Sequence, residues 1–288
     1  MANTVTLGLV QRACSGDPRR NFSQAVEDIK KLADRGAQII SLSELFLSRY
    51  FCQVENKKFF ELAERIPGDS TERLSKVAAE KKVVLVASLF EQTENKVYYN
   101  TAVVFDADGF LVGKYRKTHI PDDLTNYYGE RFYFSPGDLG YKSFQTRYAR
   151  IGVCVCWDQW FPEAARLLAL DGAEIIFYPT AIGWPVQKKG QQSLNEKERQ
   201  AWITIQRSHA IANGVFVAAV NRVGEEDHLH FWGSSFVSSP LGEVIALASD
   251  RKEELLLVPC NLAEINAVRK DWPFLKARRT DTYSRLVK

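Results

Sequence analysis

Residues Ile151-Gly-Val-Cys-Val-Cys-Trp-Asp-Gln-Trp-Phe-Pro162 run from an apolar stretch into a proline, a change that marks the end of a strand and the start of a helix. We expect a strand over 151–155, a helix over about 162–169 and a second strand over 174–178. A strand, a helix and another strand in this order favour a layered α/β fold whose sheets are covered by helices.

The same alternation continues on both sides of this stretch. Towards the N-terminus we expect a strand over 5–10, a helix from the N-cap Asn21 to the stop at Gly36, a strand over 38–42, a helix over 71–82 and a strand over 83–90. Hairpins are predicted over 101–115 and 235–247, each with a glycine in its turn. A long helix that ends near Asn213 and a strand over 215–220 lie between the hairpins. The two hairpins indicate a loosely duplicated architecture.

Length and composition indicate a globular enzyme. The 288 residues are 45% hydrophobic and 25% charged, which is enough for a sizeable core. No linker divides the chain, so we expect a single domain over 1–288. A net charge of +3 with scattered basic residues argues against nucleic acid as a partner. The basic stretch near the C-terminus alternates with apolar residues and predicts an extended tail over about 270–288.

The cysteines and the N-terminus bear on the compartment. The first apolar segment has the pattern of a strand and lacks the features of a signal peptide, and no run is long enough to span a membrane. Five cysteines is an odd number, and they show no zinc-knuckle or disulfide-frame spacing. We therefore expect free thiols and a cytoplasmic location.

Several chemistries lack their sequence patterns. The stretch 137–143 departs from the spacing of a phosphate loop, because Tyr141 separates Gly140 from Lys142. The four histidines, two of them in a predicted polar turn, give no metal-ligand pattern, and no Gly-x-Ser-x-Gly elbow is present. We expect neither a metal nor a cofactor.

Cys154 and Cys156 are the residues of the opening stretch with reactive potential. Both could be buried thiols that act as small hydrophobic residues. Alternatively, Cys156 lies where the strand turns towards a helix N-terminus, a setting that stabilises a thiolate and an oxyanion. Glu44 and Lys117 also follow predicted strands, where α/β enzymes gather their sites, although either residue alone could be a solvated surface charge.

Three motifs together resemble the nitrilase superfamily of Glu–Lys–Cys hydrolases, over nearly the whole chain. They are Leu42-Ser-Glu-Leu-Phe46, Tyr115-Arg-Lys-Thr-His119 and Gly152-Val-Cys-Val-Cys-Trp-Asp158. The resemblance implies a four-layer α-β-β-α sandwich of two mixed sheets covered by helices. It selects Cys156 over Cys154 as nucleophile, with Glu44 as base and Lys117 plus the Trp157 N–H as oxyanion donors. It also implies a supporting acid at Glu130.

Within this superfamily the chain is most similar to the N-carbamoylputrescine amidohydrolases, through Tyr178–Gly183, Phe231–Ser235 and the segment from Cys260 to Tyr283. The implied substrate is a ureido compound with a cationic tail, which would be hydrolysed to putrescine, ammonia and carbon dioxide. Relatives that bind carboxylate tails place arginine after the nucleophile motif, where this chain has Gln159 and Trp160. The aromatic residues expected to contact the substrate are Tyr128, Trp157, Trp160 and Trp184. The loop 122–129 is slightly longer than in the family and is expected to border the substrate pocket.

Other functions remain open at this level. The same three residues would serve an ω-amidase or an N-carbamoyl amino acid amidohydrolase of the β-ureidopropionase type. A catalytically silent binding protein of this fold, or a dithiol redox protein that uses Cys154 and Cys156, are the alternatives from other classes. The resemblance further implies a homodimer or larger homo-oligomer, with the tail 270–288 at a subunit interface.

Overall fold

The computed structural model describes residues 4–188 and 190–287. Its α-helices in these ranges are α1 (Pro18–Asp34), α2 (Asp69–Lys81), α3 (Pro162–Leu170), α4 (Gln192–Asn213) and α5 (Ala263–Asp271). Its strands are β1 (Thr4–Gln11), β2 (Ile39–Ser41), β3 (Val84–Gln92), β4 (Tyr98–Phe105), β5 (Leu111–Arg116), β6 (Asp122–Asp123), β7 (Tyr128–Gly129), β8 (Phe144–Gln145), β9 (Arg150–Val153), β10 (Ile175–Pro179), β11 (Gly183–Pro185), β12 (Phe216–Val220), β13 (Val223–Glu226), β14 (Leu229–Trp232), β15 (Phe236–Ser238), β16 (Val244–Leu247) and β17 (Glu254–Asn261).

Two six-stranded mixed sheets carry the fold within the described ranges. The first has the order β17-β1-β2-β3-β4-β5, and the second has the order β16-β15-β12-β10-β9-β8. Each sheet has three neighbouring parallel strands, β1-β2-β3 in one and β12-β10-β9 in the other. The hairpins β4–β5 and β15–β16, both expected from sequence, each form one edge of a sheet.

The layers follow from the alternation of side chains along the strands. Leu7 and Leu9 of β1 belong to one buried cluster with Ile175 of β10 and Phe216 of β12, so the two sheets face each other. The opposite face of the first sheet packs against α1 and α2 through residues such as Ile29. Helices α3 and α4 cover the second sheet. The resulting α-β-β-α sandwich confirms the expected fold class.

The local boundaries differ from the expectations in two informative places. Helix α1 begins earlier than Asn21: its N-cap is Asp17, whose Oδ1 accepts from the N–H of Arg19 at 2.9 Å, and Pro18 occupies the first helical position. Strand β9 ends at Val153, two residues before the predicted end. Cys154 and Cys156 therefore do not share a strand face.

Two short strand pairs were not expected. The segment 223–232, expected to hold a polar turn with both His228 and His230, forms the hairpin β13–β14 with His230 in the strand, and β14 also pairs with β11. The loop 122–129 folds into the small hairpin β6–β7.

In the described part of the chain, every helix is too short or too polar to cross a membrane.

Candidate active site

Lys117 is the centre of a buried charge cluster between the strand ends. It directly follows β5, and its side chain has no exposed surface. Its Nζ donates to Glu44 Oε1 at 2.9 Å and to both carboxylate oxygens of Glu130, at 2.8 and 2.7 Å. The hydroxyl of Tyr50 donates to Glu130 Oε1 at 2.6 Å. Three of the residues predicted from sequence are therefore in direct contact.

Glu44 has one oxygen fixed and one oxygen available. Asn100 Nδ2 donates to Oε1 at 2.7 Å, and Ser88 Oγ in turn donates to Asn100 Oδ1 at 2.9 Å. The other oxygen, Oε2, is buried without a hydrogen-bond partner among the described residues. A buried carboxylate oxygen with no donor is costly unless a ligand or water meets it. This oxygen is therefore placed to accept a proton.

Cys156 is the first residue of a 3-10 turn, 156–160, and adopts a backbone φ of +45°. A positive φ is strained for a residue with a side chain and costs on the order of 1–3 kcal/mol, which the surrounding structure must offset. Its Sγ lies 3.9 Å from the carbonyl oxygen of Ala181. Cys154, also buried, belongs to the same core cluster as Cys156.

Asp158 ties the thiol loop to the lysine segment. Its Oδ2 accepts from the Val155 N–H at 3.0 Å and from the Tyr115 hydroxyl at 2.8 Å. Its Oδ1 accepts from the backbone N–H of His119 at 2.9 Å and lies 2.7 Å from His119 Nδ1. The second and third sequence motifs are thus joined by one buried carboxylate.

The charges of the cluster determine its protonation. Burial raises the pKa of the Cys156 thiol well above its ordinary value, Glu44 adds to this rise, and Lys117 opposes it. Burial acts to lower the pKa of Lys117, but Glu130 and Glu44 outweigh it and raise that pKa well above its ordinary value. Burial likewise raises the pKa of Glu130 to about 7 against the effect of Lys117. The site at neutral pH therefore pairs a thiol with a lysine cation.

A second buried ion pair holds the backbone that carries Glu44. The guanidinium of Arg222 donates to the carbonyl oxygens of Glu44 at 2.8 Å, Leu45 at 2.7 Å and Ser48 at 2.9 Å. It also pairs with Glu226 at 2.9 Å. Leu45 has a φ of +48°, so this turn is strained as well. The pair of Arg222 and Glu226, called here the carbonyl clamp, fixes the position of Glu44.

A cavity of about 300 Å³ opens onto Cys156. Tyr128, Trp157 and Trp160, all predicted to contact substrate, line it, and hairpin β6–β7 contributes to its wall as expected for the loop 122–129. Trp184 is not among the described lining residues. It packs against His230 and Trp232, with ring centroids 5.6 and 5.1 Å away, and Trp232 lines the cavity in its place.

Several residues of the site escaped prediction from sequence. They are Tyr50, Asn100, Asp158, Arg222 and Glu226. The structure shows them buried and polar, which is the property that distinguishes them, but in the sequence they are ordinary polar residues. Asp158 had the strongest available signal, since it lies inside the third motif.

This arrangement suits one class of chemistry. A buried thiol, a carboxylate oxygen without a donor and a lysine cation at the end of a cavity can perform acyl transfer at a carbonyl carbon. Among the described residues, no three His, Cys, Asp or Glu side chains cluster so as to hold a metal ion. The fold and the geometry of the site thus fit the class of hydrolases with an α/β fold.

The comparisons with known proteins identify the family. A family model described as carbon-nitrogen hydrolase matches residues 6–270. The N-carbamoylputrescine amidase of Solanum lycopersicum is 42% identical over 292 residues, 98% of this chain and 95% of that protein. The citrullinase of Francisella tularensis is 39% identical over 100% of this chain and 99% of that protein. The crystal structure of a carbon-nitrogen hydrolase from Helicobacter pylori G27 matches with a TM-score of 0.94 and 42% identity, and covers 99% of both chains. This chain belongs to the carbon-nitrogen hydrolase family and is a hydrolase of non-peptide carbon–nitrogen bonds.

Proposed function

We propose that this enzyme hydrolyses N-carbamoylputrescine to putrescine, ammonia and carbon dioxide, with Cys156 as nucleophile, Glu44 as base and Lys117 as oxyanion donor. Support comes from the similarity to N-carbamoylputrescine amidases over nearly the full length of both chains. The observation that carries the chemistry is the unpartnered Oε2 of Glu44 in a cluster with Lys117, beside a cavity that contains Cys156.

In the first half-reaction, Glu44 takes the proton of Cys156 as its sulfur attacks the ureido carbonyl carbon. The carbon–oxygen double bond becomes a single bond, and Lys117 with the Trp157 backbone N–H stabilises the oxyanion. Glu44 then returns the proton to the terminal nitrogen, the carbon–nitrogen bond breaks and ammonia leaves. A thiocarbamate on Cys156 remains.

In the second half-reaction, Glu44 takes a proton from water, whose oxygen attacks the thiocarbamate carbon. The carbon–sulfur bond breaks, the thiol of Cys156 recovers its proton, and the released carbamate decomposes to putrescine and carbon dioxide. Glu130 fixes Lys117 by accepting from its Nζ at 2.8 and 2.7 Å, and Tyr50 in turn holds Glu130 by donating its hydroxyl to Oε1 at 2.6 Å.

A related substrate is the second candidate. Lys188 lines the cavity, and a citrullinase is among the relatives, so a ureido compound with an amino acid tail is the competing choice. The ω-amidase alternative would use the same three residues. We favour the cationic tail because no arginine is among the described residues that line the cavity, and two carboxylates are.

The proposal also covers the assembly and the cellular location of the enzyme. We propose self-association into a homodimer or larger homo-oligomer, with the segment after α5 at the interface, and a cytoplasmic location. The five cysteines, all free and buried, suit a reducing compartment.

The test is to follow ammonia and putrescine together after addition of N-carbamoylputrescine. We expect both products in equal amounts from the wild type and from Cys154→Ser, and neither from Cys156→Ala. Equal activity of Cys156→Ala would remove the proposed nucleophile. A wild type that releases ammonia only from citrulline or ω-amides would overturn the substrate and leave the chemistry intact.

A further inference from the structure

The cavity wall carries charges that the catalytic cluster does not use. Besides Cys156, the wall contains the carboxylates of Asp123 in hairpin β6–β7 and Glu198 in α4, together with the ammonium of Lys188. Among the described residues, two carboxylates and one ammonium give this wall a net charge of −1. None of the three residues contacts the buried cluster around Lys117.

The partners of these groups show which charge is free. Lys188 Nζ donates to Asn126 Oδ1 at 3.0 Å, and Asp123 accepts from the Asn126 N–H at 3.1 Å and from its Nδ2 at 2.7 Å. Glu198 is half-buried, and no described residue forms a hydrogen bond or an ion pair with it. Its carboxylate is therefore available to a cationic ligand in the cavity.

The rest of the wall suits a short aliphatic chain that ends in a cation. Ile182, Trp160 and Trp232 provide apolar and aromatic surface beside Glu198. Methylene groups pack on such surface, and indole faces attract an ammonium ion. The Nε1 atoms of Trp160 and Trp232 are buried without described partners.

We propose, on the premise of the function given above, that Glu198 is the specificity-determining residue for the substrate's distal ammonium group, with Asp123 as the supporting carboxylate. The class of substrate is a monosubstituted urea whose aliphatic tail ends in a primary ammonium ion. A tail that ends in a carboxylate is disfavoured because it would face Glu198, while the ammonium of Lys188 is already hydrogen-bonded to Asn126.

The experiment compares N-carbamoylputrescine with N-butylurea, its neutral analogue without the ammonium group. For Glu198→Gln we expect kcat/KM on N-carbamoylputrescine to fall about 10- to 100-fold, mainly through KM, as for loss of a charge-assisted hydrogen bond. The activity of Glu198→Gln on N-butylurea stays unchanged. Glu198→Asp keeps a carboxylate and should recover part of the preference for N-carbamoylputrescine over N-butylurea. Asp123→Asn reduces the same preference by a smaller factor.

The matched control is Glu196→Gln on the same helix. Glu196 lies outside this cavity and pairs with Arg199 at 2.6 Å, so its loss should leave both substrates unaffected. Competitive inhibition by putrescine gives a second readout. Glu198→Gln should raise the inhibition constant of putrescine by about the same factor as it lowers kcat/KM on N-carbamoylputrescine.

The outcomes separate this inference from the proposed function. A wild type that hydrolyses N-carbamoylputrescine, together with a Glu198→Gln variant that keeps the full preference over N-butylurea, would overturn the role of Glu198 and leave the function standing. A wild type inactive on N-carbamoylputrescine would overturn both. Improved activity of Glu198→Gln on citrulline without loss on the cationic substrate would also contradict the proposal.

Discussion

In the Glu44 carboxylate, Oε1 is held by hydrogen bonds and Oε2 has no described hydrogen-bond partner. A single substitution tests the role of Oε2. Glutamine at this position keeps the Oε1 acceptor for Lys117 and Asn100 and replaces the free Oε2 by an amide nitrogen that cannot take a proton. We expect Glu44→Gln to lower kcat by about 10²- to 10⁴-fold, the usual contribution of a general base. Steady-state kinetics measure this loss, and a variant with more than a tenth of wild-type kcat would exclude Glu44 as the base.

Glu130 couples the site to the pH dependence of stability. Its pKa rises from 4.5 to about 7 in the folded protein, so the folded state binds this proton more tightly than the unfolded state. Its contribution to the free energy of unfolding is therefore fully present below pH 4.5 and is lost as the pH rises through about 7.

Glu130→Gln removes this dependence. Denaturant unfolding of both proteins across that pH window should show that the wild type loses stability relative to the variant as the pH rises. If the difference in free energy of unfolding between wild type and variant stays constant, or shifts in favour of the wild type as the pH rises, the raised pKa of Glu130 is contradicted.

For individual residues, the sequence predicted which residue types belong to the site but did not predict their contacts. Motif resemblance selected Glu44, Lys117, Glu130 and Cys156, and the structure gathers them at the strand ends. The spacing of Cys154 and Cys156 alone left both open. It does not reveal that β9 ends at Val153 or that Cys156 has a positive φ.

At the scale of elements, the carbonyl clamp joins the end of β2 to hairpin β13–β14. Glu226 accepts from the Tyr50 N–H at 2.7 Å while it pairs with Arg222, so it supports both the Glu44 turn and the residue that binds Glu130. Glu226→Gln leaves a buried guanidinium unpaired, and we expect a loss of about 3–5 kcal/mol in the free energy of unfolding. We also expect kcat to fall while KM changes little, because the clamp positions Glu44 and does not line the cavity.

The neighbouring Asp227 is the matched control. It pairs with Arg49 at 3.0 Å on the surface, where both side chains are about half exposed, so Asp227→Asn should change the free energy of unfolding by less than about 1 kcal/mol. Equal losses in the two variants would show that the clamp has no special role.

Periodicity predicted the long elements and missed the short ones. The apolar repeats of α1, β3 and the first hairpin span enough residues to reveal their period. The strands of 2–4 residues in β6–β7 and β13–β14 are too short for this, and their polar residues resemble a turn. These short hairpins nevertheless supply Asp123 to the cavity wall and Glu226 to the clamp, so the sequence did not show how these two residues are positioned.

At the scale of the whole molecule, the segment after α5 leaves apolar side chains exposed. Phe274 and Tyr283 line a groove with Arg166 of α3 and Ile211 of α4, so this segment lies over the helices of the second sheet. Trp272 and Leu286 are 46% and 69% exposed. Lys288, the last residue of the predicted tail, lies outside the described residues.

Exposed aromatic groups beside one another, here Trp272 and Phe274 with ring centroids 5.8 Å apart, are typical of a subunit interface. We therefore expect the double variant Trp272→Ser and Leu286→Ser to reduce the mass measured by light scattering, whereas Phe110→Ser, at the tip of hairpin β4–β5 and 68% exposed, leaves it unchanged. A monomeric wild type, or a double variant of unchanged mass, would contradict an interface at this tail.

The proposed function requires a thiocarbamate on Cys156, which mass spectrometry of enzyme quenched in acid during turnover would detect. Trypsin cleavage after Arg150 and Arg166 yields one peptide that contains both Cys154 and Cys156, and fragmentation of that peptide assigns the adduct to one sulfur. We expect an adduct of the substrate's ureido carbon and alkylamine on Cys156 and none on Cys154. An adduct on Cys154, or turnover without any adduct on this peptide, would contradict it.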